Sequence, residues 1–466
     1  MSAQPYKIPV HDLDATKKRV HPRFVTGKYQ NIRVVTMYLL LALFLILPWL
    51  KYDGRQAILF DFADQRFYIF GLTFLPQDFY FFAFFFIIAA FTLFMVTVYA
   101  GRVWCGYACP QTIWVHLYQH VEKWVIGDRN KRIKFDKAPM NAEKIAKRSL
   151  VYLIWFIFAL ITALTFVSYV VGTQDLYFAW HNVAGIPLPD WSGMTLVFIG
   201  IFTFATYVNA GYMREHMCTH ICPYGRFQSV MFDKDTLIVS YDYNRGEPRG
   251  TRKKGTHPDN LGDCIDCTMC VQVCPTGIDI RDGLQVECIQ CAACVDACND
   301  VMDKVGYPRG LIRYTTERQL VENEDTKILS PRIFAYSLLL TVLFGVLIYT
   351  LNDRVPLEID IRRDRNQLSS FNAQGQIENS YIVKITNKTQ DNHKYSVKLE
   401  PQKGLSLQLR MKEVPLGPGE SYDMPMSISG DPALIEQGQT PITLTVTSED
   451  GTYTASKENL FTTQGQ

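Results

Sequence analysis

Charged side chains are missing from five long apolar stretches of this 466-residue sequence: Val34–Leu50, Phe79–Ala100, Leu150–Val171, Met194–Tyr212 and Ile333–Leu351. Each stretch has about the length that a bilayer requires, and five of them together argue against buried core helices of a soluble protein. The first stretch has no small-residue cleavage site, so it predicts a membrane helix and not a cleavable signal peptide. The sequence therefore predicts an α-helical membrane domain with five spans.

Several ligand signatures are missing as well. The sequence contains no recognisable flavin, nicotinamide or quinone motif, so it does not identify an electron donor. It has 47 Lys and Arg against 45 Asp and Glu, a net charge of +2, and no nucleic-acid motif accompanies its basic segments. A nucleic-acid partner is therefore not expected.

The basic residues are distributed unevenly between the loops. Lys and Arg number seven in residues 1–33, ten in 101–148 and fifteen in 213–332, but three in 51–78 and none in 172–193. Because basic loops stay on the cytoplasmic side, the N-terminus is predicted to be cytoplasmic and the chain after the fifth span to lie outside, in the periplasm of a Gram-negative cell. All twelve cysteines precede residue 352, which agrees with a reducing compartment for the earlier loops.

Eight of the cysteines lie within 35 residues, in two runs with the same 2-2-3 spacing. This is the spacing of proteins that hold two [4Fe–4S] clusters, in which the fourth cysteine of each run binds the cluster of the other run. One cluster is then predicted to bind Cys264, Cys267, Cys270 and Cys298, and the second to bind Cys288, Cys291, Cys294 and Cys274. Disulfides do not require this repeat, and structural zinc sites usually have a longer gap between CxxC pairs. The sequence therefore predicts a ferredoxin-like, two-cluster α+β domain.

The other four cysteines form an internal repeat. Cys105-Gly-Tyr-Ala-Cys109-Pro110 follows the second span, and Cys218-Thr-His-Ile-Cys222-Pro223 follows the fourth. Two hairpins that both end in CxxxCP indicate a duplicated unit around an axis along the membrane normal. Thiols four residues apart on one helix would share a face, where two sulfurs could hold a metal or form a redox pair. The proline would end that helix or begin the next one.

Histidine and methionine lie beside the second motif, at Met213, His216, Met217 and His220. Thiolate and thioether ligands favour Cu(I), whereas imidazole suits Cu(II). We therefore predict copper ligands and redox-active thiols at Cys105, Cys109, Cys218 and Cys222, with His216 and His220 as secondary ligands. His116 and His120, after the first motif, are predicted instead to lie on the polar edge of an interfacial helix, Gln111–Val125.

The chain after the fifth span changes to alternating apolar and polar residues, as in Leu357–Ile361, Tyr381–Ile385 and Ile442–Val446. About seven short strands in about 100 residues are typical of an all-β immunoglobulin-like sandwich.

The predicted organisation is a cytoplasmic segment at 1–33, a four-helix membrane domain with both CxxxCP motifs at 34–232, a cytoplasmic domain at 233–332 with its ferredoxin module at about 255–310, a fifth helix at 333–351 and a periplasmic immunoglobulin-like domain at 352–466.

Together these motifs resemble the cytochrome c oxidase accessory protein family called CcoG, FixG or RdxA. The resemblance covers nearly the whole chain, including His21-Pro22-Arg23 and Trp104–Gln111, although Asn299 replaces the proline that often follows the last cysteine of such a run. The CxxxCP element alone is also similar to membrane quinol dehydrogenases of the NapH type.

The resemblance implies reduction of Cu(II) to Cu(I) during assembly of cbb3-type cytochrome c oxidase in the bacterial inner membrane. The implied partners are a cytoplasmic electron donor, a copper chaperone or copper-exporting ATPase, and the oxidase with its assembly factors. Two alternatives remain open from the residues: a quinol-linked electron-transfer subunit, and an assembly scaffold whose clusters are structural.

Overall fold

The computed structural model describes residues 20–463, apart from gaps at 53, 64, 179, 184–185, 190–192, 253–259, 323, 327–329, 355, 364–368, 373, 390, 403, 433 and 436–437. Residues 1–19 of the predicted N-terminal segment and 464–466 of the predicted C-terminal domain lie outside the described residues. The chain forms two compact units. The first comprises the described residues up to Leu50 together with Phe81–Gly345, and the second comprises Lys51–Tyr80 together with the described residues from Val346 onwards.

Thirteen α-helices occur in the described part of the chain: α1 (Lys28–Ile46), α2 (Phe79–Ala100), α3 (Val103–Tyr107), α4 (Pro110–Val125), α5 (Arg129–Lys137), α6 (Ala142–Val171), α7 (Thr173–Phe178), α8 (Gly193–Val208), α9 (Pro223–Met231), α10 (Tyr243–Gly246), α11 (Met269–Val273), α12 (Ala293–Val305) and α13 (Pro331–Asn352). Five helical segments in the described residues are long and apolar enough to cross a membrane, which confirms the predicted number of spans.

Two spans begin at least six residues earlier than predicted. The first helix starts at Lys28, six residues before the predicted Val34, and the third starts at Ala142 instead of Leu150. Asn141 caps α6, the helix of the third span, because its side chain accepts a hydrogen bond from the Lys144 N–H at 2.8 Å. Hydropathy marks only the apolar part of a helix, so it does not detect the polar turns that continue beyond the bilayer. The fourth span continues from α8 through a π-helical turn, Asn209–Met213.

The cysteine-rich domain of the first unit is built on a small antiparallel sheet of two strands, Ile238–Tyr241 and Ile312–Thr315. Its apolar core contains Val239, Leu311 and Ile312 together with several of the cysteines. Asp296 of α12 joins this domain to the first span, since its carboxylate accepts hydrogen bonds from the N–H groups of Tyr29 and Gln30 at 3.3 and 2.8 Å. A carboxylate at this place satisfies free N–H groups of the first turn of α1 and favours the positive end of its dipole.

The second unit contains the predicted immunoglobulin-like sandwich, which is confirmed. Its strands are β1 (Leu357–Arg363), β2 (Ser370–Phe371), β3 (Ile377–Asn387), β4 (His393–Leu399), β5 (Leu405–Leu409), β6 (Val414–Leu416), β7 (Ser421–Gly430), β8 (Gln439–Ser448) and β9 (Thr454–Thr462). One sheet has the order β1-β3-β7-β5 with β2 on β3, and the other has the order β6-β4-β8-β9. The prediction gave about seven strands and named none at β2, β6 or β9. β2 and β6 are too short for alternation to be detected, and β9 is largely exposed and polar.

The loop between the first two spans also belongs to the second unit. It forms a three-stranded sheet, Ile58–Asp61, Arg66–Ile69 and Leu72–Phe74. Beyond this sheet Asp78 accepts hydrogen bonds from Arg354 at 2.6 Å and from Lys388 at 3.2 Å, and these three side chains are nearly buried. This loop follows the first span and the sandwich follows the fifth, so four spans separate them. An even number of spans puts both on the same side of a membrane, as one shared compact unit requires.

Candidate electron-transfer centre

The eight ferredoxin-type cysteines line two cavities in the first unit. One cavity is lined by Cys264, Cys267, Cys270 and Cys298, and the other by Cys274, Cys288, Cys291 and Cys294; Cys270 lines this second cavity as well. The structure therefore places Cys298 with the first run and Cys274 with the second, as the crossing rule predicts. We call these groups the first and second cysteine sets. That each set holds one cluster remains a prediction.

The two runs share an unusual backbone conformation that explains how three thiols of one run face a common cavity. Asp266 and Thr268 in the first run, and Gln290 and Ala292 in the second, are left-handed, with φ between 52° and 56°. Left-handed conformations are uncommon for residues other than glycine, and here they occupy equivalent positions between the cysteines. A helix then begins after Thr268 and another after Ala292, which places Cys270 and Cys294 in the first turns of these helices.

The thiol environment fits iron–sulfur clusters. Burial is the main cause that raises the pKa of Cys270, Cys288 and Cys298 to about 12. In the first set the neighbours Cys264 and Cys267 raise the pKa of Cys298 further, and in the second set Cys274 does the same for Cys288. Buried thiols with raised pKa values lose their protons only when a cationic centre replaces them, as metal binding does. Four cysteine sulfurs around each cavity are the donor set that a [4Fe–4S] cluster requires.

The two CxxxCP motifs have nearly the same local structure, but they differ from the prediction of two thiols on one helical face. Cys105 lies in α3 and Cys218 in a π-helical turn, Met217–Ile221. Cys109 and Cys222 are extended, and the following prolines begin α4 and α9. The prediction of one continuous face is thus wrong, because each helix ends before its second cysteine. A residue before proline is biased towards the extended conformation, and proline is favoured at the first position of a helix.

The four CxxxCP thiols lie close enough to influence one another. Burial, followed by the proximity of Cys109, raises the pKa of Cys105 to about 12, and burial with all three neighbouring thiols does the same for Cys218. Gln228 of α9 is fully buried, and its Oε1 accepts a hydrogen bond from the Cys105 thiol at 3.3 Å. The helix after the second motif therefore contacts the first motif.

Copper binding at these thiols remains a prediction. Among the described residues, no three His, Cys, Asp or Glu side chains converge closely enough to hold one metal ion. His216 and His220 are exposed, their ring centroids lie 5.6 Å apart, and Nδ1 of His220 lies 2.6 Å from the Thr219 hydroxyl. The four cysteines are thus neighbours that do not converge on one point, and the two histidines are exposed beside the second motif.

The first CxxxCP motif packs directly against the second cysteine set. Cys105 contacts an apolar cluster that includes Cys291, and the Tyr107 hydroxyl donates a hydrogen bond to the Cys291 carbonyl at 3.3 Å. A Cβ atom on Gly106 would lie 2.8 Å from the Ile289 carbonyl oxygen and 3.0 Å from the Cys291 Cα. Only glycine allows this approach without a backbone shift. The second set is therefore the one that adjoins the CxxxCP thiols, which we call the membrane thiols.

The environment of His116 differs from the prediction of a polar helix edge. Helix α4 begins at Pro110, one residue before the predicted start, and it buries His116 beneath the N-terminal segment, with Phe24 against its ring. Its Nε2 lies 3.2 Å from Nε2 of Gln30. Burial lowers the pKa of His116 to about 2, so the ring is neutral at physiological pH. Sequence spacing could not reveal this, because the covering residues lie far away in the chain.

Comparisons with known proteins match three parts of the chain to described families. Residues 213–317 match a 4Fe-4S dicluster domain, residues 82–134 a 4Fe-4S binding domain, and residues 347–464 the IG-like fold at the C-terminus of FixG. The nitrogen fixation protein FixG of Rhizobium meliloti is 34% identical, over 82% of this chain and 79% of the relative. From Cereibacter sphaeroides, protein RdxB is 39% identical over 85% of each chain, and protein RdxA is 36% identical over 84% of each.

Proposed function

The chain belongs to the FixG/RdxA family of iron–sulfur electron-transfer proteins, and from this membership we propose that it reduces Cu(II) to Cu(I) for the assembly of cbb3-type cytochrome c oxidase. One observation carries the proposal: Cys105 packs against the second cysteine set, and the other three CxxxCP thiols lie near enough to influence Cys105 or Cys218. Soft sulfur ligands of this kind favour the cuprous product.

The order of the two cysteine sets follows from their exposure. Cys267 of the first set is exposed, whereas Cys288 and Cys291 of the second set are buried, and Cys291 lies against the first CxxxCP motif. Iron–sulfur clusters, when bound at these residues, supply one-electron carriers. A cytoplasmic donor then approaches the first set at Cys267, and the membrane thiols receive electrons from the side of the second set.

The membrane thiols supply the binding chemistry for the copper substrate. Each Cu(II) ion gains one electron and becomes Cu(I), and no bond between heavy atoms of the protein forms or breaks. Cys105, Cys109, Cys218 and Cys222 are the proposed ligands, with His216 and His220 as weaker ligands at the exposed side. Because Cys105 and Cys218 have raised pKa values, we expect them to release protons as they bind the ion.

The proposed orientation places the cysteine sets in the cytoplasm and the second unit in the periplasm of a bacterial inner membrane. It rests on the Lys and Arg residues within 101–148 and 213–332 of the first unit, which outnumber those of the loops 51–78 and 172–193. The sandwich of the second unit then serves as a docking module. Its proposed partners are a copper chaperone or copper-exporting ATPase, and the oxidase with its assembly factors.

The test uses full-length protein purified anaerobically and reduced with dithionite. Cu(II) or a soluble quinone is added, and reoxidation is followed by the EPR signals of the clusters. We expect Cu(II) to reoxidise them, and serine at Cys105, Cys109, Cys218 or Cys222 to slow that step or weaken copper binding while both signals persist. His216→Ala and His220→Ala should give smaller defects.

Ala108→Ser is the matched control, because it adds a hydroxyl within the first motif and removes no thiol. It should react with Cu(II) like the unchanged protein. Fast reoxidation by the quinone, with no response to Cu(II) and no effect of the serine variants on copper, would refute cupric reduction and support a quinol-linked role.

A further inference from the structure

A buried arginine joins the first CxxxCP motif to the second cysteine set. Arg102 follows the last turn of α2, and only 3% of the residue is exposed. Its backbone N–H donates a hydrogen bond to Oε1 of Gln290 at 2.8 Å, and its Nη1 donates to the Val286 carbonyl. Both acceptors belong to the loop that carries Cys288 and Cys291. Arg102 therefore holds this loop against the membrane domain by two hydrogen bonds.

The guanidinium of Arg102 has no carboxylate partner of its own. Among the described residues no Asp or Glu forms an ion pair with it, and its Nη2 is buried without a hydrogen-bond partner. The charged groups that influence it most are the thiols of Cys105 and Cys288, followed by Glu287 and Cys222. A buried cation without a counter-charge is costly, so the negative charge of deprotonated, metal-bound sulfurs is what this position accommodates.

The first cysteine set offers a contrasting arginine. Arg281 influences the Cys270 thiol, but its guanidinium is paired with Asp279 at 2.6 Å and also with Asp266. The positive charge near Cys270 is thus neutralised by carboxylates, whereas the charge near Cys288 is not. The net charge and the hydrogen bonds around a cluster set its reduction potential, because a nearby cation stabilises the more negative, reduced state.

We propose that Arg102 is a positioning residue of the electron path: it fixes the loop of the second cysteine set against the first CxxxCP motif and supplies one positive charge shared by both. This charge raises the reduction potential on each side of the contact, at Cys288 and at Cys105 with Cys222. The direction of electron flow through this contact rests on the proposed function. The effect of the Arg102 charge on the reduction potential of the second set does not rest on it.

The test is an EPR-monitored redox titration of the full-length protein. Cys288→Ser first identifies the signal of the second set by its loss. Arg102→Gln should then lower the midpoint of that signal by about 59 mV or more, which is a tenfold change in a one-electron equilibrium. Arg102→Lys keeps the charge and should keep most of the midpoint. Arg281→Gln is the matched control, and it should move only the other signal.

A second variant covers failure of Arg102→Gln to assemble. Glu287→Gln removes the carboxylate that most influences Arg102 and should raise the same midpoint. If Arg102→Gln leaves the second midpoint unchanged or shifts both midpoints equally, or if Glu287→Gln lowers it, the proposal is overturned. If the midpoint falls as expected but Cu(II) is not the acceptor, the proposed function fails and the role of Arg102 stands.

Discussion

Gly106→Ala is the most direct test of the contact between the membrane thiols and the second cysteine set. The backbone of Gly106 is not in a left-handed conformation, so an alanine there meets only a steric problem. Its Cβ would lie 2.8 Å from the Ile289 carbonyl oxygen and 3.0 Å from the Cys291 Cα. Both are backbone atoms of the loop that carries the second set. They cannot turn aside as a flexible side chain would.

The size of the effect follows from these distances. The new methyl group would be roughly 0.6 Å closer to the loop than an ordinary van der Waals contact allows. Overpacking of this kind typically costs about 1–3 kcal/mol. We expect the loop to shift and relieve this clash, and the shift moves Cys291 away from Cys105. We therefore expect a lower thermal midpoint and slower reoxidation by Cu(II), with the signal of the first set unchanged.

Gly200→Ala provides the matched control, because no described heavy atom beyond its chain neighbours and the local helix backbone lies within 4 Å of the added Cβ. Replacing a helical glycine by alanine is stabilising by up to about 1 kcal/mol. Thermal midpoints in detergent and stopped-flow reoxidation by Cu(II) would be measured for both variants. If Gly106→Ala reacts with Cu(II) as fast as the unchanged protein, the contact at Gly106 does not carry electrons and the inferred route is wrong.

Two further predictions concern the cysteine crossing and the topology. Cys274→Ser should mainly damage the cluster of Cys288, Cys291 and Cys294, as judged by EPR and iron content, because Cys274 lies in their cavity. Loss of the signal that depends on Cys264 instead would contradict the crossing. A reporter fused after residue 466 should be active only outside the cytoplasmic membrane, and one fused near residue 300 only inside. Equal activity of both fusions would contradict the odd number of spans.

Features that depend on local periodicity were predictable from the sequence. The second span, Phe79–Ala100, has the predicted bounds, and strand β8 contains the predicted segment Ile442–Val446. Apolar length and two-residue alternation are properties of neighbouring residues, so they need no knowledge of the fold. The cysteine spacing likewise anticipated the two cavities, because the crossing rule is a rule of chain reach.

Features that depend on distant partners were not predictable. Arg102 is one of seventeen Lys and Arg in the first two basic segments, and nothing near it in sequence marks its contact with Val286 and Gln290. Gln228 reaches Cys105 across 123 positions. The helix break inside each CxxxCP motif was visible as Cys-Pro, but the spacing of four favoured a continuous helix in the prediction. A rule for helical faces applies only where the helix continues.

The two CxxxCP copies depend on each other, yet their surroundings differ. Gln111 of α4 donates hydrogen bonds to the Asn209 and Arg214 carbonyls at 3.1 and 3.3 Å, while Gln228 of α9 accepts one from Cys105. The helix after each motif therefore contacts the other copy of the repeat. Among the described residues, the first copy packs against the second cysteine set through Cys105, and the second copy carries the exposed His216 and His220. If copper is the substrate, we expect electrons to arrive through the first copy and the ion to approach through the second. Duplication followed by divergence would then have separated electron delivery from ion access.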